Sequence, residues 1–196
     1  MGNAAATRAI ILGKAYELIY VNGYQATSID DILRSTNVTK GAFYYNFKNK
    51  EEMGLALINE VIYPRMYVSL VEPLTRSEHV IEDLYAIMHK FLLADPHLQV
   101  KYGCPANNLV QEMAPLNKKF NNALLRLMNQ WKAAIETAVK NGIKKGIIRK
   151  DVDPEGVATW IIAGYGGVRN MGKLTKNEAC YREFLKEFKK YLESLQ

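Results

Sequence analysis

The most constraining feature of the sequence is a pair of short helical segments within residues 27–53, TSIDDILRSTNVTKGAFYYNFKNKEEM. Ser28 and Asp31 have the spacing of a capping box, which predicts a helix over about residues 28–35. Thr39 is placed to cap a second helix over about residues 39–45, after the four-residue joint STNV. Two short helices with such a joint predict a helix-turn-helix, whose second helix enters the major groove of DNA.

The second helix of this pair has two different faces. Phe43 and Phe47 lie four residues apart, so both should pack inward against the first helix. The outward positions are Thr39, Lys40, Tyr44 and Tyr45. Gly41 is costly in a helix relative to alanine, and its missing side chain would allow close approach to a DNA backbone or base edge. Lys48 and Lys50 then point toward flanking phosphates.

Positive charge is concentrated near these helices. The chain of 196 residues has a formal net charge of +6. Residues 1–50 contain six Lys/Arg and three Asp/Glu, a net +3, and the other 146 residues contain twenty and seventeen, also +3. The excess is therefore about three times denser at the N-terminus, which favours a phosphate-bearing partner.

Helical periodicity continues along the whole chain, and strand signals are nearly absent. We predict nine helices, over about residues 7–22, 28–35, 39–45, 49–70, 77–95, 105–114, 117–142, 154–173 and 176–194. Asn49 with Glu52 predicts a cap for the fourth helix, which we expect to bend near Pro64. Asp153 before a proline predicts the start of the eighth, and Thr175 with Glu178 predicts a capping box for the last.

The N-terminal motif resembles that of a known protein family. GYQATSIDDILRSTNVTKGAFYYNFKNKEEM is similar to the DNA-binding domain of the TetR/AcrR family of bacterial one-component repressors. The matching residues are Gly23, Tyr24, Thr27, Ile29, Ile32, Val38, Lys40, Gly41, Phe43, Tyr44, Phe47, Lys50 and Glu51. The chain departs from the family pattern at Asn37, Asn46 and Asn49. Asparagine tolerates the left-handed turn expected at residue 37, and residue 49 keeps a cap, whereas Asn46 could alter the operator that is read.

The resemblance implies an all-α protein with two domains. Residues 1–48 would form a three-helix helix-turn-helix domain, and residues 49–196 a helical effector-binding and dimerisation domain. The expected DNA-binding residues are Thr27, Ser28, Thr39, Lys40, Gly41, Tyr44, Tyr45, Lys48 and Lys50. The implied function is a ligand-responsive regulator of transcription, a repressor released from double-stranded operator DNA by an effector.

The resemblance also implies an effector pocket among the middle helices. The candidates are Tyr63, Met66, Tyr67, Tyr85, His89, Cys104, Asn108, Gln111, Met128, Trp131 and Trp160. Taken singly, each aromatic or methionine at helical spacing is more often a core residue. As a set they favour a small apolar or aromatic effector, because pockets are mostly apolar with a few placed polar groups.

Cys104 has two open interpretations. It lies in YGCPANNLVQEMA, which resembles a family subgroup whose middle helix opens with Gly-Cys and ends near a glutamate. It precedes Pro105, at a predicted helix start, with Lys101 nearby, and both features would favour a reactive thiolate. The alternative is a buried, inert cysteine, which also suits Cys180.

The last two predicted helices carry apolar stripes that suggest a homodimer. The interface residues expected on them are Val157, Ile161, Gly164, Val168, Phe184 and Phe188. Paired with a second copy, such stripes form a four-helix bundle of the kind that the family uses. The same stripes could instead close the core of a single protomer.

Several classes of function find no support in the sequence. His79, His89 and His97 do not have the spacing of a metal site, and we expect no cofactor. No catalytic set is recognisable, so we expect no enzyme, although a Cys104-dependent enzyme and a sequence-indifferent architectural DNA binder remain as alternatives. No apolar run is long enough for a membrane span, no secretion signal opens the chain and two distant cysteines suggest no disulfide, so we expect a cytoplasmic protein.

Overall fold

A computed structural model describes residues 2–196, with side chains from residue 4 onward. Within these residues the chain forms nine helices and no strand, which confirms the all-α prediction. They are α1 (Gly2–Asn22), α2 (Ile29–Arg34), α3 (Lys40–Asn46), α4 (residues 50–75), α5 (residues 80–94), α6 (Pro105–Met113), α7 (Lys118–Lys144), α8 (Pro154–Thr175) and α9 (Ala179–Glu193). A 3₁₀ turn, Val100–Tyr102, precedes α6.

Most of the predicted helix starts are confirmed because their signals are local. Asn49 caps α4, with its Oδ1 accepting from the Glu52 N–H at 2.8 Å. Asp153 caps α8 by accepting from the N–H groups of residues 155 and 156 at 3.1 and 3.0 Å. α1 begins earlier than predicted, at Gly2, because the alanines before Thr7 are strong helix formers.

The capping box predicted for α9 is wrong. Thr175 is the last residue of α8, and Lys176 ends that helix with a left-handed backbone, φ 54°. The Asn177 Oδ1 instead accepts from the Ala179 N–H at 2.8 Å, so α9 starts three residues later than predicted. The side chain of Glu178 makes no cap bond to α9.

Helix α4 is irregular on both sides of Pro64. Its segments are Lys50–Leu57, a π-helical turn Ile58–Ile62, Tyr63–Met66, a second π-helical turn Tyr67–Val71 and Glu72–Thr75. At the first π turn the Tyr63 N–H donates to the Ile58 carbonyl, five residues back. Proline has no N–H to donate to the preceding turn, so the wider turn lies where the regular bonding pattern is interrupted. The helix type therefore changes next to Pro64, and the bend that we expected there stays a prediction.

The chain divides into two compact units. The first contains the residues up to Arg65 together with Pro105–Leu125. Its core is formed by apolar side chains of α1 to α4 and α7, with Ile11, Ile32, Phe43, Met53 and Phe120 all buried. The domain boundary that we predicted at residues 48 and 49 lies inside this unit.

The second unit contains Met66–Cys104 and Arg126–Gln196. Its core includes Ile135, Val139, Tyr165, Tyr181 and Phe188. No helix among the described residues has the length and hydropathy needed to cross a bilayer.

Candidate nucleic-acid interface

Helix α2 is fixed at its start by the predicted capping box. The Ser28 Oγ accepts from the Asp31 N–H at 3.1 Å, and Asp31 Oδ2 accepts from the Ser28 N–H at 2.8 Å. The hydrogen bonds from the Ser28 side chain and backbone, followed by that from Arg34, lower the pKa of Asp31 to about 2. The cap therefore remains charged and intact well below neutral pH.

Helix α3 is anchored by its aromatic face, as predicted. Thr39 Oγ1 accepts from the Ala42 N–H at 3.2 Å and caps the helix. Phe43 and Phe47 are fully buried, with ring centroids 5.7 Å apart. Their burial fixes which side of α3 faces solvent.

The solvent side of α3 carries tyrosines and cations. Tyr44 is 47% exposed and Tyr45 is 80% exposed, and Lys40 and Lys48 are exposed as well. A Cβ at Gly41 would meet no other atom within 4 Å, so packing inside the protein does not require glycine there. The space in front of residue 41 is open to a partner from outside.

Lys40 and Lys48 differ from the other cations near α1 to α3. Lys14 pairs with Glu17, and Arg34 pairs with Asp31. Lys40 and Lys48 form no ion pair with any residue that the structure describes. Their charges are therefore available to phosphates.

Two of the expected DNA-binding residues have contacts within the protein. Thr27 is buried, and its Oγ1 donates to the Gly23 carbonyl at 2.8 Å. Lys50 Nζ donates to the Gln25 carbonyl at 3.2 Å and lies 4.4 Å from the centroid of the Tyr24 ring. Burial lowers the pKa of Lys50, against the opposing charges of Glu112 and Asp31. In this structure both residues hold the turn between α1 and α2, and Ser28 and Thr39 act as caps.

Sequence reasoning missed a residue that secures the end of α3. Arg8 in α1 donates from Nη1 to the Asn46 carbonyl at 3.0 Å and stacks 4.3 Å from the Phe47 ring centroid. It also pairs with Glu60 of α4. A single arginine on an amphipathic helix carries no local signal for such contacts, since its partners lie 38 and 52 residues away.

The candidate effector residues are divided between the two units. In the first unit, Tyr63 and Asn108 are half-buried and Gln111 is exposed. In the second unit, Met66, Cys104 and Trp131 are buried, Tyr85 is half-buried, and Tyr67, His89, Met128 and Trp160 are exposed. The structure does not gather the full set around one cavity in either unit, and each assignment stays a prediction.

One open groove in the second unit has the size of a small-molecule site. It has a volume of about 330 Å³ and is lined by Tyr67, Val71, Thr75, Gln130, Ala133, Ala134 and Thr137. Buried Val71 and Ala134 contribute an apolar floor, and threonine and glutamine side chains contribute polar groups. Of the candidate residues, this groove includes Tyr67.

A buried polar cluster in the second unit was also missed. Arg169 is fully buried and donates from Nη1 to the Phe91 carbonyl at 3.4 Å and from Nη2 to the Gly103 carbonyl. Tyr165 packs edge-on against Trp131 with ring centroids 5.5 Å apart. Burial, followed by the neighbouring Cys104, raises the pKa of Tyr165 well above its ordinary value. Among the described residues, no group of three His, Cys, Asp or Glu side chains is placed to hold a metal ion.

The stripe that we expected at a dimer interface mostly faces its own unit. Val157, Ile161, Val168 and Phe188 are buried within the single chain. A Cβ at Gly164 would lie 2.9 Å from the half-buried Phe184 ring, so Gly164 also packs within the chain. These residues therefore pack within the single chain, and their place at a dimer interface stays a prediction.

Another stripe of α8 faces solvent. Trp160 is 42% exposed, Met171 56% and Leu174 84%, and Ala163 and Gly167 between them are exposed too. Positions 160, 163, 167, 171 and 174 repeat every three or four residues and so lie on one side of the helix. The stacked rings of Trp160 and Tyr191, 4.0 Å apart, extend this apolar surface to α9.

Comparison with known proteins agrees with this geometry along most of the chain. A family model described as "Bacterial regulatory proteins, tetR family" matches residues 11–57, and one described as "Tetracyclin repressor-like, C-terminal domain" matches residues 80–188. An HTH-type transcriptional regulator from the lacX 3′ region of Lactococcus lactis subsp. lactis is 34% identical over 133 residues, 68% of each chain. The HTH-type transcriptional repressor DhaR of Mycobacterium sp. (strain GP1) is 25% identical over 182 residues, covering 89% of this chain and 86% of that protein.

A solved structure shares the same fold from end to end. The TetR-family transcriptional regulator from Cytophaga hutchinsonii superposes with a TM-score of 0.88 at 24% identity, covering 100% of this chain and 98% of that one. The family models, the relatives and the helix-turn-helix with its exposed, basic and aromatic α3 agree with one another. The chain belongs to the TetR family of bacterial transcriptional regulators.

Proposed function

We propose that this protein is a homodimeric repressor that binds operator DNA through α3 and is released by a small effector. The observation that carries the proposal is the exposed face of α3, where Tyr44, Tyr45 and Lys40 surround the open position of Gly41. Exposed tyrosines beside unpaired lysines match what a DNA groove offers, base edges flanked by phosphates. A regulator that binds bacterial DNA works in the cytoplasm.

DNA binding would divide the exposed residues into two groups. Tyr44, Tyr45 and the Gly41 backbone would approach base edges, and Lys40 and Lys48 would contact phosphates. Phe43 and Phe47 would contact no DNA and would hold the helix in its orientation. The relative DhaR is named a transcriptional repressor, which supports repression as the direction of regulation.

Dimerisation would use the solvent-facing stripe of α8. Trp160, Met171 and Leu174 are large apolar side chains left exposed, and Ala163 and Gly167 allow a second helix to approach closely. Two copies of α8 and α9 would then form a four-helix bundle. A two-fold dimer carries two α3 helices, which suits a palindromic operator with half-sites about 34–36 Å apart.

The effector would be a small, mainly apolar or aromatic molecule with one or two hydrogen-bonding groups. The groove on the second unit offers about 330 Å³, and a drug-sized ligand occupies a pocket of roughly 300–1,000 Å³. Its floor of Val71 and Ala134 would contact the apolar part, and Thr75 or Thr137 would bond the polar group.

Selection of DNA from a random-sequence pool by the purified protein tests the proposal directly. We expect enrichment of one inverted repeat, bound at least about 10³-fold more tightly than unrelated DNA at physiological salt. Tyr44→Ala should abolish the enrichment, and Lys186→Ala, an exposed change on α9, should not. Binding of similar strength to selected and random DNA would point to an architectural DNA-binding protein and would contradict the proposal.

A further inference from the structure

The turn between α1 and α2 is held by a single carboxylate from a distant part of the sequence. Glu112 of α6 accepts a hydrogen bond from the Tyr24 N–H through Oε2 at 2.9 Å and from the Gln25 N–H through Oε1 at 2.6 Å. Successive backbone N–H groups in a turn form an anion-binding site, and bonds to a charged acceptor are stronger than neutral ones. The contact is therefore a two-point attachment of α6 to this turn.

Gly23 makes this attachment possible. It ends α1 with a left-handed backbone, φ +93°, and its N–H donates to the Ile19 carbonyl at 2.9 Å. A Cβ on residue 23 would lie 3.2 Å from Glu112 Oε2, closer than an ordinary contact. Glycine at this position thus allows both the positive φ and the close approach of the Glu112 carboxylate.

The turn is also contacted by α4 and α7. Lys50 bonds the Gln25 carbonyl, and the Tyr24 ring packs edge-on against Phe120 with centroids 5.0 Å apart. Burial, followed by the charges of Glu51 and Glu112, raises the pKa of Tyr24 to about 12. A Cβ at Gly54 would lie 2.6 Å from both rings, so the close packing requires glycine. The turn is therefore contacted by α4, α6 and α7 within the first unit.

A second polar connection joins α4 to the start of α7. Glu51 accepts from Lys119 Nζ at 2.6 Å and from Asn117 Nδ2 at 2.9 Å. These bonds lower the pKa of Glu51. The segment 105–125 thus reaches the N-terminal helices through two carboxylate contacts, those of Glu112 and Glu51.

The packing around the Glu112 contact is not complete. A cavity of about 10 Å³, roughly the space of one water molecule, lies among α1, α4 and α6, and Glu112 contributes to its wall. The rest of the wall is formed by Tyr16, Ile19, Tyr20, Leu57, Ile62, Pro105, Asn108 and Leu109. A contact with a void beside it depends more on its polar attachment than a densely packed one does.

The attachment lies directly before the helix-turn-helix. Ser28 caps α2 only three residues after Gln25, so the turn sets the direction of α2 and α3.

On this geometry, and resting on the proposed function, we propose that Glu112 is a positioning residue for DNA recognition. Its carboxylate holds the turn at residues 23–25, and thereby α2 and α3, in the orientation that fits one half-site spacing. Glu112 itself contacts no DNA.

The test compares Glu112→Gln with Glu136→Gln, a half-buried glutamate of α7 that pairs only with lysines of the same helix among the described residues. Glutamine keeps one acceptor and loses the charge, so we expect binding to the wild-type-selected operator to fall about tenfold. We also expect the preference for that operator over versions lengthened or shortened by one base pair to fall by a similar factor. Glu136→Gln should match the wild type in both measurements.

A merely structural role for Glu112 would lower the melting temperature and weaken binding to all spacings equally. A folded Glu112→Gln that keeps the wild-type spacing preference therefore overturns the proposal. If Glu112→Gln does not fold, Glu112→Asp retains the charge but is one methylene too short to reach both N–H groups. A folded Glu112→Asp should lose the spacing preference, and its retention would again overturn the proposal.

Amide hydrogen exchange separates this proposal from the proposed function. In Glu112→Gln the N–H groups of Tyr24 and Gln25 should exchange about tenfold faster than in the wild type, with little change inside α1. Unchanged exchange at both amides overturns the contact itself. A wild-type protein that selects no DNA overturns the proposed function, and with it the role of Glu112, even if the exchange result is as expected.

Discussion

Arg8 of α1 and Glu60 of α4 form a two-point ion pair, with 3.0 Å between Nε and Oε2 and 2.6 Å between Nη2 and Oε1. The same guanidinium bonds the Asn46 carbonyl at the end of α3 and covers the Phe47 ring. Arg8 therefore connects three helices, α1, α3 and α4. Arg8 stabilises the fold through this combination of contacts, because a surface ion pair alone contributes little stability.

We expect Arg8→Ala to lower the free energy of unfolding by about 1 kcal/mol, after allowance for the partial exposure of the pair. The hydrogen bond from Arg8 lowers the pKa of Glu60 below its ordinary 4.5. A lowered carboxyl pKa stabilises the fold above the unfolded value, and the contribution is lost as the pH falls through the folded value. The difference between wild type and Arg8→Ala should thus be full at neutral pH and shrink in acid.

Urea unfolding at about pH 7 and about pH 3 measures this difference. Lys14→Ala is the matched control, because Lys14 pairs with Glu17 of the same helix, α1. It should change the free energy of unfolding by less than about 0.5 kcal/mol. A loss in Arg8→Ala that is equally large at both pH values would contradict the ion-pair explanation.

Helix α3 and the lysine that follows it give a prediction that separates DNA contacts from packing. Lys48→Ala should weaken operator binding and reduce the slope of log K against log salt by about one, since one phosphate contact is lost. Phe43→Ala should destabilise the fold by about 3–5 kcal/mol, because a fully buried ring is removed. Titrations of labelled operator at several salt concentrations, with thermal unfolding of each variant, provide the data. An unchanged salt slope for Lys48→Ala would place that residue outside the interface.

Lys50 and Lys48 should behave differently although both are lysines of the same motif. Lys50→Ala removes a bond to the Gln25 carbonyl and the contact with the Tyr24 ring, so it should lower the melting temperature as well as DNA affinity. Lys48→Ala should leave the melting temperature unchanged, since Lys48 is exposed. Equal melting temperatures for the two variants would mean that the Lys50 contacts contribute nothing to the fold.

Dimerisation gives a prediction in which a buried and an exposed residue of α8 are compared. Leu174→Glu should produce a folded monomer, because Leu174 is 84% exposed in the single chain. Val168→Asp should unfold the protein, since an unpaired charge in its core is costly. Sedimentation equilibrium with circular dichroism distinguishes a monomer from an unfolded chain. A Leu174→Glu variant that remains a tight dimer would exclude this stripe as the interface.

The extent to which sequence anticipates this structure depends on the distance over which a signal acts. The caps at Ser28, Thr39, Asn49 and Asp153 are local, because donor and acceptor lie two or three residues apart, and all four were predicted. The failed capping box at Thr175 shows the limit of this approach. The spacing was right, but the left-handed turn at Lys176 separates the cap residue from α9.

Contacts between residues that are far apart in the sequence could not be predicted from helical periodicity. Glu112 and Tyr24 are 88 residues apart, and nothing in either segment specifies the other. The residues expected at a dimer interface stay a prediction for a related reason, because α8 has two apolar sides. Both Val168 and Met171 belong to helical repeats, and only the packing of the second unit decides that Val168 is buried and Met171 exposed.

The groove of the second unit can be tested with a fluorescent aromatic probe. Ala134 is buried in its floor, so Ala134→Trp should fill the groove. We expect 1-anilinonaphthalene-8-sulfonate to bind the wild type and to displace selected operator DNA, and we expect Ala134→Trp to lose both effects while retaining DNA binding. Ala123→Trp, on the first-unit part of α7, is the control for adding a ring to that helix. Wild-type probe binding in Ala134→Trp would place the aromatic site elsewhere.

The two cysteines give the last prediction. Cys104 is 3% exposed, and Cys180 is half-buried. The Lys101 ammonium lies 4.7 Å from the Tyr102 ring centroid, where it contacts its own neighbour. Alkylation requires both thiolate and access, and burial limits access. We therefore expect iodoacetamide to modify Cys180 first and Cys104 only at a rate set by opening of the second unit, which mass spectrometry of timed samples would follow.

The same experiment decides between the two interpretations of Cys104. A packed cysteine should react faster in mild urea, and Cys104→Ser should bind and release operator DNA as the wild type does after electrophile treatment. A sensor thiol would react faster than Cys180 without denaturant, and its modification would release DNA from the wild type but not from Cys104→Ser. Because Cys104 immediately precedes Pro105, a group added there would displace the start of α6. Rapid modification of Cys104 with loss of DNA binding would therefore identify Cys104 as a sensor thiol.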